Sequence, residues 1–159
     1  MTLQIGEKLP SFSVTSVSAN SHKTLTQNDF LNHYTVIYFY PKDSTPGCTT
    51  EGLDFSALAP DFLKLNTQIY GASLDSIKRH ENFITKQNFS FELISDPETE
   101  FCKLFGVYQL KKNFGKEYMG IVRSTFIINK TGELIKEWRN VKVKGHAQEV
   151  LETLKNLQN

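Results

Sequence analysis

Six consecutive residues, Thr35-Val36-Ile37-Tyr38-Phe39-Tyr40, constrain the fold more than any other part of the chain. Every one is β-branched or aromatic, and no polar residue alternates with them. A strand of that kind has both faces buried, so it requires covering layers on both sides. The next segment supplies one such layer. After Pro41 and the Pro46-Gly47 pair, Phe55, Leu58, Ala59, Phe62 and Leu63 recur at helical spacing. Pro60 is expected to break or kink that helix near its middle, because proline removes a backbone donor.

Further strands and helices are marked along the chain. "TQIYGAS" (67–73) is a second strand, and Asp75 or Ser76 can start a helix containing Ile77, Phe83 and Ile84. "FELIS" (91–95) is a short strand. In "DPETEFCKLFG", Asp96 can cap a helix, with Pro97 at its first position and Gly106 ending it. "IVRSTFII" (121–128) and "ELIKEW" bracket a Gly132 turn and form a hairpin. An amphipathic helix at 146–157 closes the chain with Val150, Leu151, Leu154 and Leu157. Residues 1–34 alternate weakly in "FSVTSVS" and "HKTLT", which suggests a small accessory hairpin. The order implies an α/β domain spanning residues 1–159, with a mixed central sheet and helices on both faces.

Composition narrows the partners. The 159 residues carry 18 Lys and Arg against 17 Asp and Glu, a net charge of +1 that gives no footprint for a nucleic acid. No apolar run is long enough to span a membrane, and "MTLQIGEKLPSFSV" has no apolar targeting core, so a cytoplasmic location is expected. The histidines at 22, 33, 80 and 146 have no metal-ligand spacing, so a metal site is not expected. "KRHENF" and "LKKNFGK" read as solvated surface, the latter a loop between the Cys102 helix and the Arg123 strand.

Two cysteines, Cys48 and Cys102, are too few for a disulfide scaffold. Cys48 lies where strand gives way to helix, at the edge of an α/β sheet where ligands usually bind. A helix starting there turns unpaired N–H groups and the positive end of its dipole toward the sulfur, which favours thiolate. Free cysteines also serve as small buried hydrophobes, and position alone does not decide between these. A Cys–His hydrolase with His146 as base is conceivable, although His146 opens the final helix and reads as a surface residue.

"FYPKDSTPGCTTE" resembles the active-site segment of the peroxiredoxins, and most closely that of the peroxiredoxin Q, or bacterioferritin comigratory protein, subfamily. The family pattern of Pro, Thr and Cys is met by Pro41, Thr45 and Cys48, and its remote Arg by Arg123 in "GIVRSTFIINKTGEL". "YGAS", "LISDPE" and "FGVY" extend the resemblance over nearly the whole chain. It implies a thioredoxin-like fold and reduction of hydrogen peroxide and organic hydroperoxides, with Cys48 as nucleophile passing through a sulfenic acid and no metal or organic cofactor. Thr45 and Arg123 are then the residues expected to hold the peroxide, and Pro41 to shape the loop and shield the sulfur. Many subfamily members place a resolving cysteine five residues after the first, where this chain has Leu53. Recycling by an external thiol (thioredoxin, glutaredoxin or glutathione) is therefore expected. Cys102, at the flank of the Phe101, Leu104 and Phe105 stripe, is read as a half-buried packing residue or, alternatively, a resolving thiol. The resemblance also favours a monomer. A non-catalytic thioredoxin-like binding or chaperone module is the reading from a different class.

Overall fold

The computed structural model describes residues 2–159. Nine strands and four α-helices run in the order β1 (Ser13–Val17), β2 (His22–Thr26), β3 (Tyr34–Phe39), α1 (Pro46–Lys64), β4 (Thr67–Ser73), α2 (Ile77–Gln87), β5 (Glu92–Ser95), α3 (Glu100–Leu104), β6 (Tyr108–Asn113), β7 (Lys116–Ile121), β8 (Ser124–Ile128), β9 (Leu134–Arg139) and α4 (His146–Gln158). Seven strands form one mixed sheet in the order β2-β1-β5-β4-β3-β8-β9, and β6 and β7 pair separately. β4 runs parallel to both β3 and β5, while β8 is antiparallel to β3. The doubly apolar run is thus a central strand, parallel to one neighbour and antiparallel to the other.

Its two faces feed two cores. Val36, Tyr38 and Tyr40 point into a cluster with Phe55 and Phe62 of α1, Phe83 of α2 and Val150, Leu151 and Leu154 of α4. Ile37 and Phe39 enter the opposite cluster with Leu3, Leu9, Phe30, Phe101, Phe105 and Ile121. Phe39 meets Phe101, Phe105 and Phe126 with ring centroids 5.2–5.6 Å apart, in tilted and edge-on contacts. Three helices cover one face, and short α3 with the N-terminal segment covers the other, as the mixed thioredoxin-like arrangement requires.

Several expectations need correction. Pro60 does not end α1, which continues to Lys64. Proline here is on the exposed side, and Phe62, fully buried beyond it, holds the last turn in place. Leu63 is 71% exposed and belongs to no core. Pro97 does not open α3; Thr99 is its N-cap, and Asp96 caps from further back by accepting from the Phe101 and Cys102 N–H groups. The N-terminal hairpin is no mere accessory, because β1 pairs with β5 and extends the main sheet. Residues 111–118 are not a loop but most of the β6–β7 hairpin, turned at Phe114 and Gly115, both at positive φ. Cys102 is fully buried rather than half-buried.

Candidate active site

Cys48 occupies the third position of α1, whose N-cap is Thr45 and whose first residue is Pro46. Proline lacks the N–H that would be orphaned anyway, so the helix can start abruptly at the strand exit. Arg123 lies in the two-residue gap between β7 and β8 rather than within a strand. From there its guanidinium reaches across the sheet edge, Nη2 donating to Cys48 Sγ at 3.4 Å and Nη1 to Glu51 Oε1 at 2.6 Å. Gly47 makes this approach possible: a Cβ there would sit 3.3 Å from Nη2. Cys48 and Glu51 are three residues apart on α1 and share a helix face, so one planar fork serves both.

Cys48 and Glu51 are buried, at 2% and 1% exposure, while the Arg123 side chain keeps 17% of its surface open to water. Thr45 and Pro41 belong to the loop that leads from β3 into α1. The Thr45 hydroxyl donates to Lys42 O at 2.8 Å, closing the turn ahead of the helix. Its proton is committed there, so it offers lone pairs to a ligand rather than a donor. Pro41 comes directly after the last sheet bond of this segment, Tyr40 N–H to Ala72 O at 3.0 Å. Sequence reasoning does not single out Glu51. Its position one helical turn after Cys48 is the available signal.

Burial pushes the Glu51 carboxyl up to about 7, although the Arg123 charge and hydrogen bond pull it down. Burial also opposes the Arg123 charge, yet Glu51 and Cys48 together hold the guanidinium above its usual value. The carboxylate is therefore the member of the pair that yields its charge.

His146 departs from its expected surface role. It is 6% exposed, hydrogen-bonded through Nε2 to Thr125 Oγ1 at 2.8 Å, and enclosed by the edges of Phe55 and Trp138. Burial lowers its pKa to about 4, with the Arg123 charge acting in the same direction and Glu149 against it.

These two groups work in opposite directions on stability. Between about 4.5 and 7 the folded state keeps the Glu51 proton that the unfolded chain loses, so stability falls as pH rises. Between about 4 and 6.5 the unfolded chain protonates His146 while the folded state does not, so stability rises with pH. Their slopes oppose over most of this range. Glu51→Gln removes a contribution of order 3 kcal/mol across its window. Denaturant unfolding of this variant from pH 4 to 7 is expected to rise more steeply with pH than wild type; parallel curves would contradict it.

Cys102 lies in the opposite core from Cys48, across the sheet. Its thiol is pushed far above the usual range by burial and by the adjacent Asp96 carboxylate, which accepts from the Cys102 backbone N–H at 2.8 Å. Leu53, at the position of the missing resolving cysteine, is 43% exposed. Among the described residues, no helix is long and apolar enough to cross a membrane.

Residues 5–137 match the model of the AhpC/TSA family. The chain is 49% identical over 157 residues to peroxiredoxin Bcp of Bacillus subtilis, an alignment covering 99% of this chain and 98% of the relative. It is 51% identical over 140 residues to peroxiredoxin Bcp of Xanthomonas campestris, covering 88% and 86%. Among solved structures, a bacterioferritin comigratory protein of Xanthomonas campestris, described as a trapped intermediate and ligand complex concerned with alkyl peroxide reduction, superposes with a TM-score of 0.88 at 44% identity. That match covers 98% of this chain and all of the other. The thioredoxin-like sheet, the thiol at the head of α1 and this degree of identity along nearly the full chain agree: the protein belongs to the AhpC/TSA family, in its peroxiredoxin Q or Bcp branch of thiol peroxidases.

Proposed function

We propose that residues 1–159 act as one domain that reduces hydrogen peroxide and organic hydroperoxides through Cys48, with a thiol from outside the chain restoring it. The observation that carries this reading is the 3.4 Å contact between Arg123 Nη2 and the buried Cys48 Sγ. The Cys48 thiolate attacks the distal peroxide oxygen; the S–O bond forms as the O–O bond breaks. Sulfur is oxidised by two electrons to sulfenic acid, and the departing alkoxide or hydroxide takes a proton to leave as alcohol or water. Lowering a thiol's pKa contributes little net rate, since nucleophilicity falls with it. Alignment of the O–O bond and stabilisation of charge on the leaving oxygen contribute more. Arg123 is the donor for that charge, Thr45 Oγ1 accepts the peroxide O–H, and Pro41 keeps the loop shaped over the sulfur.

One-cysteine recycling is supported by the placement of Cys102 behind the sheet and by the upward push of burial and the Asp96 carboxylate on its thiol. An external thiol then attacks the sulfenic acid, releasing water and leaving a mixed disulfide that a second thiol resolves. Thioredoxin, glutaredoxin and glutathione are the candidate donors. Two unpaired cysteines suit a reducing compartment such as the cytoplasm, where a monomer of this kind would serve antioxidant defence. The test is peroxide turnover by Cys102→Ser with each donor. Turnover within about twofold of wild type is expected, because this thiol takes no part in the electron flow. Quantitative Cys48–Cys102 bridging in peroxide-treated wild type, seen by mass spectrometry, would overturn the recycling scheme. Absence of thiol-dependent peroxide consumption by wild type would overturn the peroxidase reading itself.

A further inference from the structure

The loop leading into Cys48 is tied to α2 by a buried polar network that the peroxidase reading does not use. Asp43 and His80 stand 37 residues apart, with exposures of 2% and 0%. His80 Nδ1 lies 2.6 Å from Asp43 Oδ2, and Nε2 donates to Ile94 O at 2.9 Å. One proton therefore occupies the Nδ1–Oδ2 line, and both ring nitrogens are engaged. The other carboxylate oxygen, Asp43 Oδ1, accepts from the Tyr40 hydroxyl at 2.6 Å. The Asp43 N–H donates to Asp75 Oδ2 at 2.8 Å, and Asp75 is itself fixed by Ser73 Oγ and Arg79 Nε. Ligand atoms of Asp43, Asp75 and His80 fall within 4.8 Å of one another, but each is committed to a partner on the chain. The arrangement is a closed hydrogen-bond network rather than a cation site.

Its position gives it a task. Asp43 is followed by Ser44 at φ +64°, a sparsely populated conformation for a residue with a side chain, and then by Thr45, the N-cap of α1. The segment between the network and Cys48 is locally unfavourable and must be held by something outside itself. On the far side the sulfur is 2% exposed, beyond the reach of a bulky reductant until the first turn of α1 moves. Holding the turn closed favours attack on a small peroxide; releasing it favours reduction.

We propose that the Asp43–His80 pair is a positioning device that keeps the 41–48 segment in its peroxide-reactive form and sets how readily that segment opens to the thiol donor. The proposal rests on the peroxidase reading. It assigns neither residue a contact with substrate.

The test measures the two half-reactions separately by stopped flow: oxidation of reduced protein by hydrogen peroxide, and reduction of oxidised protein by a thioredoxin. Asp43→Ala and His80→Ala are expected to slow oxidation by about tenfold or more, while reduction is unchanged or faster, since small misplacement of reacting groups is costly. Asp43→Asn keeps the geometry: its carbonyl still accepts from Tyr40, and its amide donates to His80 Nδ1 while Nε2–H stays on Ile94 O. Oxidation by this variant is expected to recover to within about threefold of wild type. Parallel loss of both half-reactions in the alanine variants, or no change in either, overturns the proposal. Amide exchange over residues 41–50 is the independent readout. Faster exchange confined to that segment supports the clamp even if wild type fails to consume peroxide, a result that would sink only the peroxidase reading. Uniform acceleration across the sheet, or none, refutes the clamp.

Discussion

Cys48→Ser is expected to abolish reaction with hydrogen peroxide and organic hydroperoxides, a drop of more than about a thousandfold to the uncatalysed background. Serine fills nearly the same volume and can still accept from Arg123 Nη2, so the local packing of α1 is preserved. What disappears is the soft anionic nucleophile: a hydroxyl with no adjacent base does not ionise near neutral pH. Cys102 cannot take over, because it sits fully buried behind the sheet, where burial and the Asp96 carboxylate push its thiol far above the usual range. Peroxide consumption measured by stopped flow should therefore be flat in Cys48→Ser, while the unfolding midpoint stays within a few tenths of a molar denaturant of wild type. Residual peroxidase activity above about one per cent of wild type, in protein shown to be folded, would remove Cys48 from the mechanism.

The elements around that thiol are readable because local rules agree there. β4 matches "TQIYGAS" residue for residue, and Ser76 caps α2 by accepting from the Arg79 N–H. The pairing of β3 with β8 arises from two long apolar runs that only a shared sheet can bury. What escapes reading depends on distant partners or on elements without a buried face. β6 and β7 are largely exposed and lysine-rich, so they show neither alternation nor an apolar run, and only Phe114-Gly115 hints at a turn. Helical phase puts Cys102 at the flank of a stripe, but α3 is five residues long and is packed by neighbours on several sides. Phase has little meaning for a single enclosed turn.

The site divides along the same line. Cys48 is marked by its place at a strand-to-helix turn and, like Arg123, singled out as a candidate only by the family resemblance. Glu51 looks like an ordinary polar residue on a helix. It is buried only because Arg123, 72 residues later, arrives to meet it. Asp43 and His80 carry no local signal at all, since each is ordinary in a loop or on a helix until the fold brings them to 2.6 Å. Long-range charge pairing is the information that period and capping do not contain.

Replacing Arg123 separates what this pair does for the fold from what it does for the chemistry. Arg123→Met keeps much of the side-chain volume but removes both hydrogen bonds, to Glu51 at 2.6 Å and to Cys48 at 3.4 Å. The peroxide reaction is expected to fall by about a hundred- to a thousandfold, the usual loss when a donor to developing negative charge is removed. Stability should fall as well. An unpaired buried charge costs about 3–5 kcal/mol, but the Glu51 carboxyl, already pushed up by burial, can take a proton instead, which limits the loss to the lower end and makes it grow as pH rises. Adding Glu51→Gln to Arg123→Met removes the stranded carboxyl, so the double variant should regain most of the stability and none of the rate. Arg123→Lys gives the complementary result: a single ammonium cannot bridge Glu51 and Cys48 as the planar fork does, so it should retain charge and fold while losing more than about tenfold in rate. Denaturant unfolding and stopped-flow oxidation of the three variants decide the matter. Recovery of rate together with stability in the double variant would show that Arg123 acts only by supporting α1, and that the leaving oxygen draws its stabilisation from somewhere else.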